Sequence, residues 1–334
     1  MSHILNSVES FKSDFIEGLT RAYPNVLERI GNAHGVRAVG APFDGKVSIL
    51  IGGGSGHYPA FAGLVGDGLA SGAVIGEIFT SPSSEQIYRC TKALDGRAGV
   101  AYCYGNYSGD VMNFDMAAER AEQDGIAVRT VLVTDDVASA PANRVTQRRG
   151  IAGDFCVFKV LGAAARSGRP LDEVALLGER ANSRTRTIGV AFNGCTLPGA
   201  RDPLFSVPEG RMELGLGIHG EPGIRSVDRL DARSLAAMMV DALTSEAPPE
   251  SDGRIAVLVN GLGSTTYEEL FVLHSQIAPL LKNAALAVHH CEVGELVTSL
   301  DMAGCSLTLL WLDDELLGLY DEPAVAAGYC KVVM

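Results

Sequence analysis

The chain has 334 residues, 47% of them hydrophobic and 20% charged, with 39 glycines and a formal net charge of −13. That length predicts two domains, and so many glycines fit an α/β protein rich in strand-to-helix turns and not a helical bundle. An acidic balance without any Lys/Arg-rich block excludes nucleic acid or an anionic membrane as the main partner.

In chain order, Gly40-Ala41-Pro42-Phe43-Asp44-Gly45-Lys46-Val47 comes close to the G-x4-G-K-[ST] phosphate loop. It fails on two counts: Val47 has no hydroxyl for magnesium, and the segment precedes a strand where such a loop follows one. Residues 46–51 read as a buried strand stopped by Gly52-Gly53-Gly54. The stretch Gly52-Gly53-Gly54-Ser55-Gly56-His57 then lies where ligands meet an α/β sheet, and its glycines let backbone N–H groups approach a polar group. It is either such a loop or a tight turn with an incidental histidine.

Residues 84–94 and 111–123 read as helices, and 100–104 and 128–133 as strands. Asn106-Tyr107-Ser108-Gly109-Asp110 follows the first of these strands, so Asp110 either caps the next helix or serves as a general base. Asp135-Asp136 reads as a solvated turn, and residues 154–166 and 171–181 as helices. A polar stretch at 182–186 marks a boundary, giving expected α/β domains 1–185 and 186–334.

The second half resumes with a strand at 188–192. Leu216-Gly217-Ile218-His219-Gly220-Glu221-Pro222-Gly223 places His219 between glycines in a turn, which suits exposure in a cleft better than packing in a core. Neutral imidazole is a nucleophile near neutral pH, and Glu221 is positioned to steer its tautomer. The surface loop 247–253 leads into a strand at 254–259, and a late strand follows at 307–312. His289-His290 beside Cys291 and Glu292 is not expected to hold metal, because neighbours on a strand face opposite ways. Asp313-Asp314-Glu315 reads as another solvated turn. Seven dispersed cysteines without CxxC spacing read as reduced thiols. With no signal-type start and no apolar run of the ~18 residues that span a bilayer, the expected location is the cytoplasm.

Residues 52–57, Gly76-Glu77-Ile78-Phe79-Thr80-Ser81-Pro82, residues 106–110 and residues 217–224 together resemble the dihydroxyacetone-kinase family, K subunit or domain, in matching order over about 7–331. The resemblance implies two α/β domains with mixed sheets flanked by helices. It also implies that His219 bonds covalently to the carbonyl of a short ketose, that His57 assists proton transfer and that Asp110 deprotonates the hydroxyl to be phosphorylated. Gly54, Ser55, Gly56, His57, Gly105 and Asp110 would line the substrate pocket. The chain itself would bind no cofactor or metal. ATP or ADP with Mg would sit on a separate L-type subunit, and a homodimer is expected. Gly105, where many members carry a lysine, and Tyr58, where many carry glutamate, are similar to the erythrulose-kinase branch, and the glycine is expected to open the pocket for a four-carbon ketose. The alternative function is a ketose-sensing coactivator of a transcription regulator, which would have no need of Asp110.

Overall fold

The computed structural model describes residues 3–332. Helix α1 (Phe11–Ala22) leads into strands β1 (Leu27–Arg29), β2 (Gly35–Ala38), β3 (Ser48–Ser55), β4 (Gly66–Asp67) and β5 (Gly72–Ile78). Helix α2 (Ser84–Leu94), strand β6 (Val100–Gly105), helix α3 (Ser108–Gln123) and strand β7 (Val128–Val133) follow. These strands form a mixed sheet of order β1-β2-β5-β3-β6-β7, in which β5, β3, β6 and β7 run parallel. Both faces of β3 and β6 are buried, as their continuous apolar runs require of parallel strands under helices.

Helices α4 (Gly153–Arg166) and α5 (Leu171–Ser183) bridge to the second half. There β8 (Thr185–Ala191), β9 (Arg211–Leu214), β10 (Arg225–Asp228), α6 (Ala232–Thr244), β11 (Arg254–Gly261), α7 (Tyr267–Asn283), β12 (Ala287–Gly294) and β13 (Gly304–Trp311) follow one another. The second sheet has the order β10-β9-β8-β13-β11-β12 and is antiparallel except for β11 and β12. Helix α4 packs against strands of both sheets and is buried from Gly153 to Ala165. Helix α8 (Asp314–Asp321) and strands β14 (Ala324–Ala326) and β15 (Cys330–Lys331) end the fold, with β14 pairing with β4 back in the first half. The architecture is α/β with mixed sheets flanked by helices.

Three local readings of the sequence need correcting. Residues 52–54 do not stop the first strand: β3 continues through them to Ser55 and pairs in parallel with β5. The glycines are there for close approach, since a Cβ on Gly52 would meet Val74 and one on Gly53 would meet the Phe61 ring, each at 2.5 Å. Asp135 and Asp136 are not solvated but buried. The Asp135 carboxylate accepts from the N–H groups of Ile151 (2.8 Å) and Gly153 (2.7 Å) at the start of α4, and Asp136 pairs with Arg149 at 2.9 Å. Asp313 is a helix cap, accepting from Leu316 N at 2.9 Å.

Candidate active site

The parallel strands β3 and β6 deliver their C-terminal ends to one edge of the first sheet, where α/β folds bind ligands. His57 stands just past β3 and is 1% exposed. Its Nδ1 lies 2.7 Å from the carbonyl oxygen of Thr298, an acceptor only, so Nδ1 carries the hydrogen and Nε2 is left facing the second half. The same loop after β12 is stitched to the β3 loop along its length: Leu300 N donates to Gly56 O (2.8 Å) and Ala60 N to Leu296 O (3.1 Å). It is clamped from behind by buried Asn260, whose Oδ1 accepts from Leu296 N (2.8 Å) and Val297 N (3.0 Å) while Nδ2 donates to Val297 O (2.7 Å).

The second half supplies His219. Its Nε2 is 3.0 Å from His57 Nε2, and its Nδ1 is 2.8 Å from Glu221 Oε1. The other Glu221 oxygen accepts from the His219 backbone N–H at 3.0 Å, so one carboxylate fixes both the loop and the ring. Only glycine at 217 permits this fold-back, because a Cβ there would stand 2.0 Å from Glu221 Oε2. Arg149 ties the loop down further, donating to Gly215 O at 3.0 Å and to Asp136 at 3.0 Å. The Ser299 hydroxyl donates to Ile218 O. The result is a histidine whose side chain remains 20% exposed.

Aromatic rings frame the pair. Phe79 stacks on His57 with centroids 5.0 Å apart and meets His219 edge-on at 5.3 Å, while Tyr107 packs edge-on against His219 at 4.7 Å. Asp110 lies in the first turn of α3, whose N-cap is Tyr107, so Asp110 is not the cap. Its Oδ1 is buried without a hydrogen-bond partner in the protein. Ser55 Oγ and Tyr107 OH are in the same condition. Buried polar atoms are normally paired, so these three unpaired ones fit a polar ligand.

Burial sets the electrostatics. It drives His57 down to about 3, with His219 adding to the effect and the Thr298 carbonyl opposing it, so His57 is neutral. Burial raises Asp110 to about 6, against the Ser81 hydrogen bond and the His219 field. Glu221 is also pushed upward by burial, but the His219 hydrogen bond and charge outweigh this and hold it at about 2.

The arrangement thus brings together His57, His219 and Asp110 with the Gly54–Gly56 backbone. Gly105 is closely flanked. A Cβ there would stand 3.0 Å from Gly150 O and 3.1 Å from the Tyr107 ring, so a side chain at 105 would press on both. Elsewhere, His290 pairs with Asp321 while Cys291 approaches His274 at 3.1 Å. Phe79 lies in the 76–82 motif, but nothing there marks its ring as a partner of the histidines; Thr298 and Asn260 carried no signal, since a backbone carbonyl and a strand-end asparagine become visible only when distant loops meet.

A family model described as the Dak1 domain matches residues 17–328. The chain is 50% identical over 331 residues to a protein named D-erythrulose kinase of Mycolicibacterium smegmatis, covering 99% of this chain and 57% of that one. It is 42% identical over 315 residues to the dihydroxyacetone-binding subunit DhaK of a PTS-dependent dihydroxyacetone kinase of Listeria innocua, covering 94% and 95%. Among solved structures, the dihydroxyacetone kinase from C. freundii in complex with AMP-PNP and Mg2+ superposes with a TM-score of 0.91 at 34% identity, covering 98% of this chain and 61% of that one. The chain therefore spans less than two thirds of the length of two of these three proteins.

Proposed function

Because this chain belongs to the Dak1 domain family, we propose that it is the ketose-holding part of a short-chain ketose kinase and that His219 holds the substrate covalently. The observation that carries the reading is the placing of His219 between the Glu221 carboxylate at 2.8 Å and the second imidazole at 3.0 Å. A nucleophile bonded to an orienting carboxylate on one side, with a proton carrier on the other, is the arrangement that covalent catalysis needs.

The chemistry balances as follows. The Nε2 lone pair of His219 attacks the ketose carbonyl carbon, forming a C–N bond and moving the carbonyl π pair onto oxygen. A proton taken up from solvent between the two Nε2 atoms passes through His57 to that oxygen, giving a neutral hydroxyl. His219 becomes a ring substituted at Nε2 and protonated at Nδ1, and its positive charge lies against the Glu221 carboxylate. Polyols without a carbonyl are excluded, since they offer no electrophilic carbon. Asp110 then accepts the proton of the terminal hydroxyl as that oxygen attacks the phosphoryl donor, and positioning supplies much of the remaining acceleration.

In this reading ATP or ADP with Mg is held by an L-type unit outside these residues, whether fused to the chain or separate. The chain works as a homodimer in the cytoplasm, and residues 1–185 and 186–334 act as two lobes around the ketose. Among the described residues no helix is long and apolar enough to cross a membrane. Erythrulose is the preferred ketose, following the name of the 50%-identical relative.

Intact-mass spectrometry after incubation with dihydroxyacetone, D-erythrulose or L-erythrulose tests the proposal. An adduct of the ketose mass, without loss of water, is expected in the wild type and is lost in His219→Ala. No adduct with any short ketose, or one that survives His219→Ala, overturns it.

A further inference from the structure

Behind Gly105 lies a carboxyl group that the proposed chemistry does not use. Asp154, in the first turn of α4, is 2% exposed, and its Oδ1 has no hydrogen-bond partner in the protein. Carboxyl groups are almost never buried without partners unless something else requires them there. Two glycines bring this one to the site. A Cβ on Gly150 would stand 3.0 Å from Asp154 Oδ1 and 2.4 Å from Gly105 Cα, and a Cβ on Gly105 would touch the Tyr107 ring at 3.1 Å. Tyr107 in turn packs on His219, and its own hydroxyl is buried and unpartnered. Asp154, Gly150, Gly105 and Tyr107 therefore form one continuous wall leading to the nucleophile, with two polar atoms on it left unsatisfied.

We propose that Asp154 is a specificity-determining residue of the ketose site, hydrogen-bonding the hydroxyl that a four-carbon ketose has and dihydroxyacetone lacks. The proposal rests on the ketose-binding reading above. Burial, reinforced by Asp135 and Asp110, holds the Asp154 carboxyl well above the usual range, so it is a neutral acid. A neutral acid both donates and accepts, as a sugar hydroxyl does. A site with buried polar groups built for a hydroxyl discriminates strongly against the analogue without it, because those groups are then left unpaired.

The experiment titrates adduct formation by intact mass for dihydroxyacetone, D-erythrulose and L-erythrulose in the wild type, Asp154→Leu, Asp154→Ala and Asp154→Asn. The wild type should form its erythrulose adduct at lower concentration than its dihydroxyacetone adduct. Asp154→Leu should raise the erythrulose midpoint about tenfold or more and leave dihydroxyacetone within about twofold, and Asp154→Ala carries the same expectation if the leucine variant does not fold. Asp154→Asn, which keeps a donor and an acceptor, should stay within about threefold for all three ketoses. Equal losses for every ketose, or an unchanged erythrulose midpoint in the leucine and alanine variants, overturn the role of Asp154 alone. A wild type that binds no ketose overturns the ketose-binding reading and this role with it.

Discussion

The Nε2 atoms of His57 and His219 lie 3.0 Å apart while each ring's Nδ1 already faces an acceptor, Thr298 O at 2.7 Å and Glu221 Oε1 at 2.8 Å. Both Nδ1 atoms therefore carry hydrogens, and two bare Nε2 lone pairs would repel at this distance. The contact is therefore built to take up a proton between the two rings and pass it on. The Glu221 carboxylate, held at about 2, stays ionised beside His219.

In the proposed reaction a proton held at this contact is what the carbonyl oxygen receives when His219 attacks, so its carrier sets the rate of adduct formation more than its extent. His57→Asn is expected to slow ketose adduct formation by about 10²–10⁴-fold, the usual worth of a positioned acid. The final occupancy at saturating ketose should fall far less. A mass-spectrometric time course separates the two. Equal rates in variant and wild type would falsify the relay through His57.

Asp110 predicts a pH dependence in two opposite directions. Its carboxyl is raised from 3.8 to about 6, chiefly by burial, so phosphoryl transfer should fall about tenfold per pH unit below pH 6 as the base is protonated. Stability moves the other way. A carboxyl whose folded-state value is raised stabilises the fold fully below its unfolded value, and that stability is lost as pH rises through about 6. Asp110→Asn should therefore raise the melting temperature at pH 7.5, by the equivalent of about 1–3 kcal/mol, and abolish turnover while the ketose adduct still forms. A variant less stable than wild type at pH 7.5 contradicts this assignment.

The sequence made the candidate residues of this site readable, but not what supports them. His57, Asp110 and His219 sit in short glycine-bearing segments beside apolar runs, and the period of those runs placed β6, β7, α2 and α4 nearly to the residue. Asp135 and Asp136 were misread because paired acidic residues usually mark solvent, whereas here backbone N–H groups and Arg149 neutralise them inside. The limits of β3 were misread for a related reason: glycine breaks strands by local propensity but is required where another backbone approaches. What stands beside Gly105 is set by a residue 45 positions away, which no local pattern shows.

Asn260 should matter to the site although it touches neither histidine. It is wholly buried at the end of β11, and its side chain pairs with three backbone groups of Leu296 and Val297. Removing it leaves two N–H donors and a carbonyl unsatisfied in the interior, each costing about 1–3 kcal/mol. Asn260→Leu is expected to lower stability by several kcal/mol in denaturant titration and to weaken adduct formation, because Thr298 O no longer holds the His57 tautomer. Asn260→Asp keeps the acceptor for both N–H groups and should lose less. Equal stability of the two variants would show that the clamp does not depend on its Oδ1 contacts.

Gly54 offers the sharpest separation of backbone fit from chemistry. A Cβ at this position would stand 2.6 Å from Thr80 N and 2.9 Å from the Phe79 backbone, and neither group can move aside without shifting the 79–80 turn. Phe79 already has a φ of 53°, and its ring is the one stacked on His57. Gly54→Ala should therefore cost about 1–3 kcal/mol and slow adduct formation by displacing Phe79 from the imidazole. Gly109, one residue before Asp110 in α3, is the matched control. A Cβ there meets only Ser81 Cβ at an ordinary 3.5 Å, so Gly109→Ala should be neutral or stabilising by about 0.5–1 kcal/mol. Thermal melts of the two variants decide the matter: if Gly54→Ala melts at or above Gly109→Ala, close backbone approach is not why residue 54 is glycine, and the Phe79 stack owes nothing to it.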